Sequence, residues 1–277
     1  MNEVRINMAL NFNLWDEPWL QVIMNDGSKQ EVSLYDAIKD AHKIAEIRDE
    51  NPLFEIGIHR MLIALVMDAY EIKDTSRIRD LIDRKSFDVA ILDAYKKKYY
   101  ENFDLFGETV RFYQFSPREH DFKEKSIANI LMDLPQGTNS ILFHHTYEDQ
   151  LTVSPKVCAK ALCSVSAYVL AAGTGYRASA AGHPPIYSLI YADSLFEILL
   201  FNSCPDSLLN NSSRYGPAWT IQEEIGKLKH KIADVSTTLG LTWQRGQKFE
   251  KLSLYHSFNN IGTNMATPHH SINPEGC

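Results

Sequence analysis

Ten histidines and 35 acidic side chains are the raw material of a metal-dependent hydrolase. His144-His145, His269-His270 and the lone His183 are the groups such a site would draw on. Spacing decides whether they are ligands. Two imidazoles grip one ion when they share a face, whereas neighbours on an extended chain point to opposite sides. The chain contains no HExxH, no His-Asp pair with supporting spacing, no GxSxG elbow and no Cys/His array of the nuclease kind. Phosphate loops of the Walker A or GxGxxG type are absent too. The four cysteines, Cys158, Cys163, Cys204 and Cys277, form no CxxC pair. The expectation is a protein without catalytic residues, metal or cofactor.

Three stretches suit recognition without covalent chemistry. The first lies within Ala171 to Pro185, too rich in Gly, Ala and Pro to be anything but a loop. Its Gly173-Thr174-Gly175 core, followed by Tyr176 and Arg177, lets backbone approach a ligand closely because glycine has no Cβ. The second is Phe143-His144-His145, an aromatic ring beside hydrogen-bonding groups, a combination of types suited to stacking on or bracketing a nucleotide. The third is Lys96-Lys97-Lys98, set between tyrosines. Each has a plainer explanation: a flexible connection, a buried strand residue beside surface histidines, and a solvated helix face.

The elements that must position these groups are legible from patterning. An apolar fraction of 44% indicates a folded chain with a sizeable core, and its formal net charge is −7. That charge argues against an independent nucleic-acid binder, though not against a subunit whose partners neutralise most of the phosphate. The longest apolar run, Met61 to Met67, is far short of the ~20 residues of a membrane span. With no signal peptide recognised, reduced thiols and a cytoplasmic location are expected.

Phe12 to Met24 reads as two strand-like pieces around Pro18, and Asn25-Asp26-Gly27-Ser28 as the turn of a hairpin returning through Lys29 to Ser33. Ser33 suits a helix N-cap, with Leu34, Ile38, Ala41 and Ala45 at helical spacing. Asn51-Pro52 opens a helix apolar nearly all round, the expected central element. Two helices follow between Thr75 and Phe103, then a loop-rich region with a strand at Ser140 to Phe143. A helix opens at Ser154-Pro155, Ile186 to Tyr191 reads as a strand, Ser194 to Asn202 as a helix, and Leu239 to Lys248 as a patterned segment. Trp15, Trp19, Phe103 and Phe106 belong in the core. Strands and helices mixed without βαβ regularity imply an α+β fold.

Several segments taken in order resemble the CasA family, the large subunit of the type I-E CRISPR Cascade complex. Phe12-Asn13-Leu14-Trp15-Asp16-Glu17-Pro18-Trp19 is similar to that family's N-terminal signature. Ser33-Leu34-Tyr35-Asp36-Ala37, then Asn51-Pro52-Leu53 leading to His59-Arg60-Met61-Leu62, resemble the next two elements. Phe103-Asp104-Leu105-Phe106 with Phe112-Tyr113-Gln114 is similar to its phenylalanine-rich hinge. Gly137-Thr138-Asn139 before Leu142-Phe143, Asp193 to Asn202, and Leu241-Thr242-Trp243-Gln244 complete the series.

The resemblance implies a single CasA-like N-terminal unit over residues 1–277, without the four-helix bundle that follows in the family. It implies a non-enzymatic subunit that reads the protospacer-adjacent motif (PAM) on duplex DNA and helps open it, while guide RNA reads the target. By position, Gly173, Thr174 and Gly175 match the family's minor-groove loop, with Tyr176 and Arg177 placed to contact phosphate. Phe143, His144 and His145 match a loop directed at the guide RNA 5′ region and a neighbouring subunit. Lys96, Lys97 and Lys98 would lie along DNA backbone. The implied partners are the other Cascade subunits, guide RNA and target double-stranded DNA. Cutting would fall to a separate helicase-nuclease or a nuclease domain on another subunit. Some members carry paired cysteines where this chain has Leu151 to Lys156, so no structural zinc is expected here. The competing expectation is an assembly subunit that binds partner proteins and the guide RNA end without reading DNA.

Overall fold

The computed structural model describes residues 11–108, 110–114, 131, 153–168, 187–205 and 217–220. The hairpin turn forms as the sequence predicts. It joins β1 (Leu20–Met24) to β2 (Lys29–Val32) with Leu20 opposite Val32 and Ile23 opposite Lys29. Gly27 takes φ +83°, a conformation that side chains with a Cβ resist. The Asp26 carboxylate accepts from the Ser28 N–H at 2.8 Å and so holds the turn from inside.

Ser33 caps α1 (Leu34–Lys39), its hydroxyl accepting from the Asp36 N–H at 3.1 Å. The predicted continuation through Ala45 does not occur. After α1 a single 3-10 turn spans Ala41–Lys43, and β3 (Ile44–Ile47) pairs antiparallel with β1 in a sheet of order β2-β1-β3. Ile44 and Ile47 stand at a helical interval, yet both are fully buried in a strand. A bulge reconciles the two facts. Ile23 faces Glu46 and Met24 faces Ile44, so Ala45 is the unpaired extra residue that brings both isoleucines inward. The first predicted strand piece also falls short, leaving Asn13 in one isolated bridge with Asp104.

α2 (Pro52–Ala69) is the central helix. Asn51 accepts from the Leu53 N–H at 2.9 Å and Pro52 occupies the first turn, where it costs no hydrogen bond. From Ile58 to Met67 every residue is buried, the outcome predicted for a helix with no polar face. α3 (Thr75–Arg84) and α4 (Val89–Tyr99) are capped by Asp74 and Asp88. α5 (Pro155–Tyr168) packs on α2 with unusually close backbones. A Cβ on Gly57 would lie 2.6 Å from the Cys163 carbonyl carbon, so only glycine fits there.

α6 (Leu195–Phe201) follows its Ser194 cap and buries five of its apolar side chains, Leu195, Phe196, Ile198, Leu199 and Leu200. The strand predicted over Ile186 to Tyr191 does not form. Residues 187–192 join no ladder among the described residues. The fully buried Asn202 side chain replaces the missing strand partner. Its amide donates to the Ile190 carbonyl at 2.7 Å and accepts from the Ile190 N–H at 2.9 Å. The strand expected at Ser140 to Phe143 and the segment Leu239 to Lys248 lie outside the described residues. No helix among the described residues is long and apolar enough to cross a membrane. The α+β mixture matches the expectation.

Candidate nucleic-acid interface

The basic end of α4 is built on the N-terminal motif. Trp15 and Trp19 are fully buried, and the Trp19 indole N–H donates to the Leu14 carbonyl at 3.1 Å. The Leu14 N–H donates to the Phe103 carbonyl at 3.0 Å, and the Leu105 N–H to the Phe12 carbonyl at 2.9 Å. Residues 12–14 therefore zip against 103–105, just past α4. Asn13 donates from its side chain to the Tyr100 carbonyl at 2.9 Å. Of the core aromatics predicted, Trp15, Trp19 and Phe103 are fully enclosed, while Phe106 is half-buried against the core.

Between the two tryptophans, Asp16 faces outward and meets α4. Its carboxylate pairs with the Lys96 ammonium at 2.5 Å and accepts from the Tyr100 hydroxyl at 2.6 Å. Burial works against the Asp16 charge, but the hydrogen bonds from Lys96 and Tyr100 outweigh it and hold the carboxyl below its usual range. The same bond pushes the Tyr100 phenol up to about 12. The Lys96 ammonium also stands 4.7 Å above the Tyr35 ring, whose hydroxyl donates to Asp93 at 2.8 Å.

The three lysines are therefore not equivalent. Lys96 is engaged from two sides, whereas Lys97 and Lys98 are exposed, Lys98 leaning over the Tyr99 ring at 4.7 Å. All three occupy the last turn of α4, where cations offset the partial negative charge of unpaired helix carbonyls. That accounts for the run without a ligand, and it leaves two ammonium groups open to solvent.

Gly173, Thr174, Gly175, Tyr176 and Arg177, and likewise Phe143, His144 and His145, lie outside the described residues. The points where the chain leaves and re-enters around the glycine segment are described. The Tyr168 and Tyr187 rings meet edge to face, centroids 5.4 Å apart, and the Tyr187 hydroxyl donates to the Ala167 carbonyl at 2.8 Å. The Arg60 guanidinium of α2, itself 3% exposed, lies 4.7 Å from the Tyr187 ring centroid. Among the described residues no group of three or more His, Cys, Asp or Glu side chains is placed to hold a metal ion.

The sequence model of the CRISPR-associated protein Cse1 family matches residues 13–245. The chain belongs to the Cse1 family. A curated CasA/Cse1 protein of Thermus thermophilus is 29% identical over 205 residues, which are 70% of this chain and 40% of that protein. Among solved structures, Cse1 of Acidimicrobium ferrooxidans superposes with a TM-score of 0.59 at 25% identity, covering 76% of this chain and 42% of its own. T. thermophilus CasA (Cse1) gives 0.59 at 22% identity over 84% of this chain and 48% of its own. A chain of a CRISPR RNA-guided surveillance complex gives 0.61 at 18% identity over 70% of this chain and 43% of its own. The chain thus spans less than half the length of these Cse1 relatives.

For this Cse1-family chain, sequence reasoning missed the partners of the site more than its elements. Asp16 lies in the N-terminal signature and Tyr100 just after the lysine run, but nothing in either segment signals that they meet. Arg60 did carry a signal, because a lone cation inside a helix with no polar face must find a partner in the core.

Proposed function

We propose that this chain is a non-enzymatic part of an RNA-guided CRISPR effector that recognises PAM-bearing duplex DNA and helps begin its opening for guide RNA pairing. Family membership across residues 13–245 carries the reading. The likeness to a chain of an RNA-guided surveillance complex supports placing it beside other protein subunits and a guide RNA. In this reading Gly173 to Gly175 approach the minor groove by backbone, and Tyr176 and Arg177 contact phosphate. Phe143, His144 and His145 meet the guide RNA 5′ end or a neighbouring subunit. At the end of α4, Lys97 and Lys98 supply ammonium groups to the DNA backbone, while Lys96 is committed to Asp16. PAM capture then nucleates the first base pairs of the heteroduplex, after which pairing energy takes over. No covalent chemistry falls to this chain, and cutting is left to a helicase-nuclease or a nuclease domain elsewhere.

The test is binding of the reconstituted RNA-guided complex, with and without this chain, to target duplexes that carry or lack candidate motifs. Binding that needs both the chain and one motif supports the reading. Equal binding without the chain sinks it and favours an assembly subunit holding partner proteins and the guide RNA end, an alternative in keeping with the net charge of −7.

A further inference from the structure

Asp16 stands where a phosphate would have to stand to use Lys96. Its backbone is fixed by the fold. It lies between the fully buried Trp15 and Trp19, and its N–H and that of Glu17 both donate to the Asn13 carbonyl, at 3.1 and 2.9 Å. The carboxylate meets the Lys96 ammonium at 2.5 Å and accepts from the Tyr100 hydroxyl at 2.6 Å, although its side chain is 46% exposed. An isolated surface ion pair contributes little because two flexible side chains must be ordered to make it. Here one partner is anchored by buried tryptophans, and the other is pinned from a second side by the Tyr35 ring at 4.7 Å. Glu17 and Asp104 add negative charge around the Tyr100 hydroxyl. The end of α4 thus carries an acidic border at Lys96 and Tyr100, while Lys97 and Lys98 stay exposed.

We infer that Asp16 is a specificity-determining residue for DNA binding: by occupying Lys96 and Tyr100 it keeps phosphate off them and limits the backbone-facing patch of α4 to Lys97 and Lys98. The inference rests on the proposed reading of those two lysines. Its physical basis is that each phosphate neutralised adds affinity for every sequence alike. A third open lysine would strengthen attraction to any duplex without reading a base, and non-specific DNA would then compete better with motif-bearing sites. A fixed carboxylate also repels a phosphate that approaches Lys96, so it tells against one placement of the duplex as well as withholding a contact.

The experiment measures how binding of the reconstituted complex to a duplex lacking both the motif and guide complementarity depends on salt, so that phosphate attraction alone is read. Asp16→Asn keeps the side chain's shape and an acceptor for Tyr100 but removes the charge. It should tighten binding and steepen the slope of log affinity against log salt by about 1, the signature of one added phosphate contact. Adding Lys96→Ala to Asp16→Asn should return the slope to that of the unsubstituted chain. An unchanged slope in Asp16→Asn, with Lys97→Ala and Lys98→Ala together still lowering it, overturns the inference and leaves the reading of those lysines standing. Steepening that survives Lys96→Ala also overturns it, because the gain would then come from the overall charge and not from a released Lys96. If Asp16→Asn fails to assemble, Lys96→Ala alone decides: an unchanged slope bears the inference out, and a slope lowered by about 1 overturns it. If Lys97→Ala with Lys98→Ala leaves the slope unchanged, the reading of the α4 end falls and takes the inference with it.

Discussion

The Trp219 indole N–H donates to the Tyr95 hydroxyl at 2.8 Å, across 124 residues of chain, and that hydroxyl donates onward to Asp68 at 2.6 Å. Trp219 is buried against Phe103 and Tyr113, and its carbonyl accepts from the Asn102 side chain at 3.1 Å. A short late segment, Ala218–Thr220, is therefore docked on α4 and on the end of α2 through one hydrogen-bonded chain. Burial, with Asp68 next to it, pushes the Tyr95 phenol well above its usual range, so the hydroxyl stays a donor.

Tyr95→Phe removes the middle member of that chain while keeping the ring against Trp15. The expected loss is about 1–3 kcal/mol, the cost of withdrawing a partner from buried polar groups. Urea unfolding followed by tryptophan fluorescence measures it, and an unchanged midpoint would show that the relay contributes nothing.

Gly57→Ala sets two effects against each other. Helix propensity favours alanine by about 1 kcal/mol, while its Cβ would meet the Cys163 backbone at 2.6 Å. Overpacking costs about 1–3 kcal/mol, and backbone cannot swing aside as a side-chain end can, so the expected net loss is about 1–2 kcal/mol. A gain in thermal midpoint would contradict the close approach of α2 and α5.

His59 should make the protein acid-sensitive. It is fully enclosed, its Nδ1 lies 2.8 Å from the Glu55 carbonyl, and burial drives its pKa below the ordinary 6.5 in spite of Glu55. The unfolded chain then takes up the proton first. Stability is complete above the unfolded pKa of 6.5, falls as pH drops beneath it, and levels off once the folded-state pKa is passed. Tyr191, T-shaped against the ring, and Glu55, which accepts from its hydroxyl, are the titratable neighbours. Melting curves from pH 8 to 5 should show this limb, and His59→Gln should flatten it.

Lys97→Ala with Lys98→Ala should weaken DNA binding equally for motif-bearing and motif-lacking duplexes. Each lost phosphate contact lowers the slope of log affinity against log salt by about 1, so the pair should lower it by about 2. Lys96→Ala should leave the slope nearly unchanged and cost under ~1 kcal/mol of stability, because its half-exposed partner Asp16 is screened by water. Lys96→Ala shifting the slope as far as Lys97→Ala would show that Asp16 does not withhold it.

Local rules made much of the architecture legible. Asp-Gly specified a hairpin turn because glycine takes a positive φ without the strain a Cβ brings, Ser33 and Asn51 announced helix starts because their oxygens satisfy otherwise unpaired N–H groups, and apolarity nearly all round after Asn51-Pro52 marked the central helix. The ordered motifs from Phe12 onward pointed to the family. Tertiary structure decided what pairs across the chain. Ile44 and Ile47 stand at a helical interval, and only β1, with its bulge, makes them a strand. Ile186 to Tyr191 reads as a strand, yet at Ile190 the Asn202 side chain takes the place of a ladder partner. Lys96, Lys97 and Lys98 are identical in sequence terms, and Asp16, 80 residues away, separates the first from the others. Capping and turns depend on neighbours a few residues apart, which sequence displays directly. Pairings between distant residues depend on how helices and strands pack, and spacing along the chain does not encode that.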